Sequence, residues 1–553
     1  MVRGVRIPRF VSRVVLPCVV ASVAVISFLH PVPNLASSLA FSRTLNPQSS
    51  SNLDQSDKRS QLVQHHQEHQ PHQQRAQPRL VHADEHNMAS RASLRVLISG
   101  GGIAGNALAF WLTKLGHNVT VVERFPGLRA TGLQLDLRGA GIEVMRRMGL
   151  EQAFQAKRAP EEGMQVVDST GRQRAWFPAS KPKVGERQGF TTEFELMRGD
   201  ICRILHHAAA ASTTPAGALK TSARYVFGTA VESFEQHADA VDVRFEDGTT
   251  ASFDLLVGAD GQWSRTRRML LAAGGAGGHA KTSKASSSAA AAVAPESEGL
   301  YLIPGLYFTY FTMRKPIEEG EGYIATSYMA PHRRGIMTRR HSPNELQVML
   351  SCRNDSQELR DIRRGDVEKE KEAIAGIFKD AGWQAEAILK AMKEAPDFYC
   401  ERLGLVKVAP WSRGRVALIG DAAHCPTVLT GMGTTSAMVG AYVLAGEISR
   451  HVGKVGNGEG DGDNHSDGLA TALESYETRF RPFVDQVQKG VLEHSADKWM
   501  MADTSMQVAF MNWMMGVASF FAKRVNIVDA FGIRETVKGW DLPRYEGLEK
   551  TEE

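Results

Sequence analysis

The stretch Arg95–Glu123, RVLISGGGIAGNALAFWLTKLGHNVTVVE, confines the fold of this chain more tightly than any other. A short apolar run (Arg95–Ser99) meets Gly100, Gly101, Gly102, Ile103, Ala104 and Gly105. An apolar helical stretch then runs to Gly116, and a second strand (Asn118–Val122) ends on Glu123. Strand, glycine loop, helix, strand and terminal acid, in that order, make a dinucleotide-binding βαβ unit. Gly100 permits the tight turn, Gly102 lets the backbone approach a pyrophosphate, and Gly105 allows the helix to pack closely. Ile103 and Ala104 open a helix whose unpaired N–H groups face the phosphates. Glu123 is placed to accept hydrogen bonds from an adenosine ribose, with Arg124 beside it as a further contact.

Two more glycine and aspartate constellations follow apolar runs. Asp254–Ala259 (DLLVGA) leads into Asp260 and Gly261, then GlnTrpSerArgThrArg; Arg415–Ile419 (RVALI) leads into Gly420, Asp421, Ala422, Ala423 and His424, and then Gly431, Met432, Gly433 and Thr434. Taken singly, each reads equally as a strand followed by a turn. Taken together, three such strand ends suit one flavin dinucleotide better than a nicotinamide cofactor. A helix beginning at Gly433 would turn its positive end toward a flavin ring and favour negative charge there.

These residues resemble the class A flavoprotein monooxygenases, the group that contains para-hydroxybenzoate hydroxylase and the tetracycline-modifying enzymes. The stretch PTVLTGMGTTSAMVGAYVLAGEI is similar to the tetracycline-modifying branch. The resemblance is good over about Leu94–Arg267 and Val408–Ile448 and poor between them. It implies an α/β fold: a Rossmann-like FAD-binding domain of the para-hydroxybenzoate hydroxylase type, an antiparallel-sheet substrate domain and C-terminal helices. It implies that Gly100, Gly102, Gly105 and Glu123 bind the ADP half of FAD, that Asp260 and Gly261 touch pyrophosphate and take part in NADPH use, and that Asp421 binds the ribityl chain. In GLQLDLRGAG, Asp136 would approach the flavin; Arg129 would serve NADPH, and Arg198 of MRGD would contact FAD. A solvated surface arginine is the alternative for both. The implied reaction has NADPH reduce FAD, dioxygen add to the flavin, and the hydroperoxide pass one oxygen atom to an aromatic or polyketide-like molecule. The cofactor carries that chemistry, so no catalytic side chain is expected, and His424 reads as the end of a turn. A flavin-dependent halogenase would need a WxWxIP signature that the sequence lacks. A non-oxygenating FAD oxidoreductase or redox-sensing flavoprotein remains as the alternative.

The rest of the chain bounds the partners. A net charge of +4 over 553 residues, without a basic stripe, implies no nucleic acid partner. Five cysteines without CxxC spacing suggest neither a metal site nor a disulfide framework. Residues 1–90 read as a leader with an apolar run (Val14–Leu29) and a disordered Gln/His-rich tract. If native, the leader makes the protein secretory, mitochondrial or membrane-anchored, with possible membrane contact through the apolar segment; a start at Met88 would leave it cytoplasmic. The FAD domain is expected over 91–270, with a substrate-domain excursion at about 160–195, and again over 406–452. A disordered insertion covers 271–299, the substrate sheet 300–405, a flexible loop 453–468 and C-terminal helices 469–553. Strand-like runs at Leu306–Met313, Tyr323–Met329, Gly335–Thr338 and Glu345–Cys352 would form an antiparallel layer over the flavin. Ordinary packing accounts for their aromatics as well as a substrate lining does. Arg333, Arg334, Arg339 and Arg340 read as a solvated hairpin. The helix Met506–Phe521 would pack on the FAD domain, cover the substrate opening or touch a membrane. Oligomeric state is not specified.

Overall fold

The structure of the chain, a computed structural model, describes residues 93–129, 132–179, 194–211, 222–272, 279–281, 295–452, 464–492, 502–525, 537 and 539–549. The leader, the His tract, Met88 and most of the two expected insertions lie outside those residues.

A six-stranded sheet runs in the order Ser412–Arg413, Val416–Leu418, Leu255–Gly258, Arg95–Ser99, Asn118–Glu123, Arg224–Phe227. All neighbours pair parallel except the first two strands. Its central strands are buried on both faces, Val96 to Ile98, Leu255 to Val257 and Val416 to Leu418 included. Continuous apolar runs are what a parallel sheet covered on both sides requires. The helices Ile103–Lys114 and Gly433–His451 pack on each other, and Asn464–Gln488 packs on the second of them.

A seven-stranded sheet has the order Tyr399–Val406, Leu300–Arg314, Glu345–Arg353, Arg334–Ser342, Ile324–Ala330, Gly163–Val167, Gln173–Pro178. The four strands expected to form an antiparallel layer do so, and the one parallel pairing is where Ile324–Ala330 meets Gly163–Val167. The last two strands come from the segment before the second motif, so the sheet is assembled from distant parts of the chain. A third, four-stranded antiparallel sheet, unanticipated, follows Thr250–Phe253, Val241–Phe245, Val231–Gln236 and His279–Lys281. Within 271–299, read as a disordered insertion, His279–Lys281 is thus an edge strand.

The period of two along Leu300–Arg314 divides the aromatics between two cores. Tyr307 and Phe311 join Tyr328 beneath the helices Val367–Phe378 and Ala385–Glu394. Phe308 and Tyr310 face the other way, among Leu133, Leu429 and Tyr399.

The arginine hairpin is not solvated. Arg334 bonds the Ile377 carbonyl (2.6 Å) and pairs with Asp380, and Arg340 pairs with Glu321 (2.8 Å); both are buried. Arg339 holds Glu161 through two bonds of 2.8 Å and also pairs with Glu195. Only Arg333 has the exposed pairing that was expected, with Asp503. The helix Ser505–Val525 docks on the edge strand Gln173–Pro178 of the seven-stranded sheet, not on the parallel sheet. Among the described residues no helix is long and apolar enough to cross a membrane.

Candidate functional site

The three glycine and aspartate motifs stand at the carboxyl ends of three adjacent parallel strands, Val416–Leu418, Leu255–Gly258 and Arg95–Ser99. In open α/β sheets that edge is where ligands bind.

Gly100 has φ of 115°, and a β-carbon there would lie 2.5 Å from the Ala259 carbonyl oxygen, so the first two motifs touch through a position only glycine can fill. A β-carbon on Gly105 would overlap the Gly100 carbonyl, which is why the helix can start so close to the turn. The Gly101 N–H donates to Glu123 Oε2 (2.9 Å) and the Phe125 N–H to its other oxygen (3.2 Å). Glu123 therefore braces the loop that it faces. Gly102 approaches Arg198, which opens the helix Arg198–Ala210 and also packs against Gly132.

Asn106 was missed in the sequence. Fully buried in the first helix, it donates to the carbonyls of Gly101 (2.7 Å) and Gly102 (3.0 Å) and accepts from Tyr225 Oη (2.7 Å). Turning those carbonyls inward leaves the opposite side of the loop to its N–H groups. A lone amide on an otherwise apolar helix, next to the glycine run, was the available signal.

Asp260 is engaged by its own chain. Ser264 Oγ (2.5 Å) and the N–H groups of Arg265 (2.8 Å) and Thr266 (3.1 Å) all donate to it, so its carboxylate caps the helix Arg265–Ala272. The cap shapes the turn at Gly261, where φ is 82° and a β-carbon would meet nothing within 4 Å. Arg267, buried, ties this turn to the third motif by donating to the carbonyls of Gln262 (2.7 Å) and Ala422 (3.0 Å).

Asp421 is exposed to solvent, yet it stands in a cleft so enclosed that loss of solvation raises its carboxyl above the ordinary range, against the pull of Arg198 and Arg267. An acid that is accessible and enclosed at once lines a cavity. Gly431 closes the turn Val428–Thr430 in the left-handed region (φ 63°), and Gly433 opens the long helix with free space at its β-carbon position. Thr434 is buried behind it, and Thr435 Oγ accepts from the Arg138 N–H and donates to the Arg138 carbonyl, both at 3.0 Å. Those bonds fix the GLQLDLRGAG segment on the third motif.

Asp136 in that segment accepts from Arg138 Nη2 (2.5 Å). Arg138 Nη1 and Gln134 Oε1 are buried and have no partner within the protein, whereas Asp136 also hydrogen-bonds with the buried Glu195. Orphaned polar atoms beside an open glycine turn fit a polar planar ligand that supplies the missing bonds. Gln134 continues into the second sheet: its N–H donates to Gln347 Oε1 (2.7 Å), and its amide reaches Glu161 (3.1 Å) and Glu195. Glu195 is pushed well above the usual carboxylate range by burial and by Asp136 and Glu161, with Arg339 opposing.

Arg129 lies over the rings of Tyr399 (5.2 Å) and Phe125 (5.4 Å), and enclosure followed by the charge of Arg198 lowers its guanidinium pKa. Arg124 also lies over Phe125, at 4.9 Å. The buried Tyr310 hydroxyl has no protein partner, its ring stands 5.1 Å from that of Tyr399, and burial holds the phenol protonated. His424, by contrast, sits in an aromatic core of Trp411, Tyr476 and Phe480, away from the open side of the cleft. Among the described residues no group of His, Cys, Asp and Glu is arranged to hold a metal.

Comparison with known proteins bears on family and fold. The sequence pattern of the FAD binding domain family matches residues 93–489. The FAD-dependent monooxygenase asL4 of Sarocladium schorii is 45% identical over 459 residues, which cover 83% of this chain and 99% of that one. The flavin-dependent monooxygenase eupH of a Phoma species is 37% identical, covering 71% of this chain and 84% of its own length. Among solved structures, the tetracycline destructase Tet(51) superposes with a TM-score of 0.58 at 26% identity, over 82% of this chain and 99% of that one.

Proposed function

The chain belongs to the FAD-binding class A flavoprotein monooxygenases, and from that premise we propose that it uses NADPH and dioxygen to oxygenate an aromatic or polyketide-like small molecule. The observation that carries the reading is the convergence of three motifs at adjacent strand ends around an acid that is accessible and enclosed. Relatives named as FAD-dependent monooxygenases support the oxygenase chemistry, and the likeness to a tetracycline destructase supports a polycyclic substrate.

Glu123 accepts from the adenosine ribose. The loop Gly100–Gly105, with the helix start at Ile103 and Ala104, and Arg198 hold the pyrophosphate, with Gly261 giving it room. Asp421 accepts from the ribityl hydroxyls. Gly431, Gly433 and Thr434 would set a helix N-terminus toward a bound flavin, with the Asp136 segment available to it. FAD, once bound and reduced by NADPH, supplies the dioxygen chemistry that leaves one oxygen atom on the substrate and one in water. This chain's own residues position and exclude water. Phe308, Leu133 and Leu429 make an apolar wall. Arg124 and Arg129 face the opening used by the nicotinamide cofactor.

Purified protein should be yellow, and a phenol or polyketide panel under air should contain a compound that speeds NADPH oxidation with one oxygenated product formed per NADPH. Oxidation without any oxygenated product would favour a non-oxygenating flavoprotein.

A further inference from the structure

The phosphates of FAD are accounted for by the glycine loop and Arg198, yet the mouth of the same cleft carries more cations. Arg364 lies over the Trp263 ring, its guanidinium carbon 4.8 Å from the centroid. Trp263 is held in turn by Glu401, which accepts from the indole N–H at 2.7 Å and from Gln262 at 3.2 Å, and which reaches Arg364 at 3.8 Å. The loop that presents Arg364 is pinned at both sides: Arg402 donates to the carbonyls of Leu359 (3.1 Å) and Ile362 (2.5 Å), and Glu370 accepts from the Gly365 N–H (3.0 Å). Tyr399 and Glu401 are two apart on one strand and face the same side, about 7 Å from each other. Arg129 on Tyr399 and Arg364 at Glu401 are therefore neighbours in one row.

A guanidinium placed over an indole face keeps its N–H donors in its own plane, directed away from the ring, where a bidentate acceptor can reach them. The aromatic faces of Phe125 and Trp263 lie among the guanidiniums of Arg124, Arg129 and Arg364; loss of solvation lowers the pKa of Arg364, Glu401 opposes the shift and Arg124 adds to it. Burial raises the Glu401 carboxyl, with Arg364 and the Trp263 hydrogen bond opposing. Rings that stack on a base, among cations with spare donors, suit a second nucleotide bearing an extra phosphate.

We propose that Arg364, presented by Trp263 and Glu401 across the cleft mouth from Arg124, binds the 2′-phosphate of NADPH and sets the preference for NADPH over NADH. The inference rests on the nicotinamide-cofactor use proposed above, and it assigns specificity to a loop of the substrate-sheet region, outside the glycine and aspartate motifs.

The test is calorimetric titration of FAD-saturated protein with two redox-inert probes, 2′-phospho-ADP-ribose and ADP-ribose, alongside visible absorption of the same samples. The wild-type chain should bind the phosphorylated probe at least about tenfold more tightly. Arg364→Gln should lose about tenfold of that preference while staying yellow. Arg363→Gln removes the same charge one residue away, from a side chain that is exposed like that of Arg364 but is not the one over Trp263, and should keep the preference. Equal binding of the two probes, full preference in Arg364→Gln, or an equal loss in Arg363→Gln would each overturn the assignment. A protein that cannot be loaded with FAD overturns the oxygenase reading instead, and the absorption trace separates the two failures.

Discussion

At the scale of single residues, the buried charges were the least legible part of this chain and are the most consequential. Arg339 lies in a run of basic residues that reads as a solvated turn, because its partners Glu161 and Glu195 are 178 and 144 positions away. Their side chains are 3% and 1% exposed. Arg339→Gln should cost about 3–5 kcal/mol in urea denaturation, since it leaves two buried carboxyls without their cation. Glu195→Gln should cost much less, because Glu161 keeps both bonds to Arg339 and burial already favours the protonated form of Glu195. His424 is the opposite case, a titratable group buried among aromatic rings. Burial pushes its imidazole from 6.5 to about 3, so on acidification the unfolded chain takes up a proton that the folded chain refuses. Stability from this group is fully present above pH 6.5 and is lost as pH falls, by about 1.4 kcal/mol per unit. His117, lowered to about 4 by burial, adds a loss of the same sign. Denaturation midpoints measured between pH 6.5 and 5 should fall less steeply in His424→Gln than in the wild type; equal slopes would mean that His424 is not held neutral.

At the scale of elements, what could be read from the sequence was whatever is local. Arg95–Glu123 carries strand, turn, helix and strand within one contiguous stretch, and the structure places those elements where the pattern puts them. Gly105→Ala tests the tightest point of that unit. With the new β-carbon driven into the Gly100 carbonyl, the loop must open, and the protein should emerge with little bound FAD and a loss of about 1–3 kcal/mol. Edge contacts carry no such local signal. Ser519 accepts from the Trp176 N–H (3.0 Å) and donates to the Trp176 carbonyl (2.8 Å), although 343 positions separate the two residues. The helix Ser505–Val525 thereby satisfies the free edge of Gln173–Pro178, and Gly516 lets it come close enough, since a β-carbon there would lie 2.9 Å from the Arg174 carbonyl oxygen. A Met and aromatic-rich helix could be recognised as apolar, but its target could not, because an unpaired strand edge is a property of the assembled sheet. Ser519→Ala should leave FAD content unchanged and speed amide exchange at Trp176; unaltered exchange would show that the helix does not protect this edge.

At the scale of the whole molecule, the cleft lies between two separately packed bodies. The parallel sheet and its helices form one continuous core, whereas the seven-stranded sheet buries its helices in another. Between them run polar ties such as Gln134 to Gln347 (2.7 Å) and Gln347 to the Gly132 carbonyl (2.8 Å), together with the small apolar cluster around Phe308 and Tyr310. Residues of both bodies line the cleft: Asp421, Arg198 and Arg129 from one, Tyr399 and Glu401 from the other. A dinucleotide seated there joins the bodies as well as filling the cleft, so its binding energy should appear as coupling between them. Free FAD at one hundred times its dissociation constant should stabilise the fold by about 2.7 kcal/mol. Calorimetric scans should also change in form, from two resolved transitions without FAD to one with it. If FAD raises only the transition of the parallel-sheet body and leaves the other where it was, the seven-stranded sheet closes the cleft without gripping the cofactor, and Tyr399 and Glu401 serve the nicotinamide side alone.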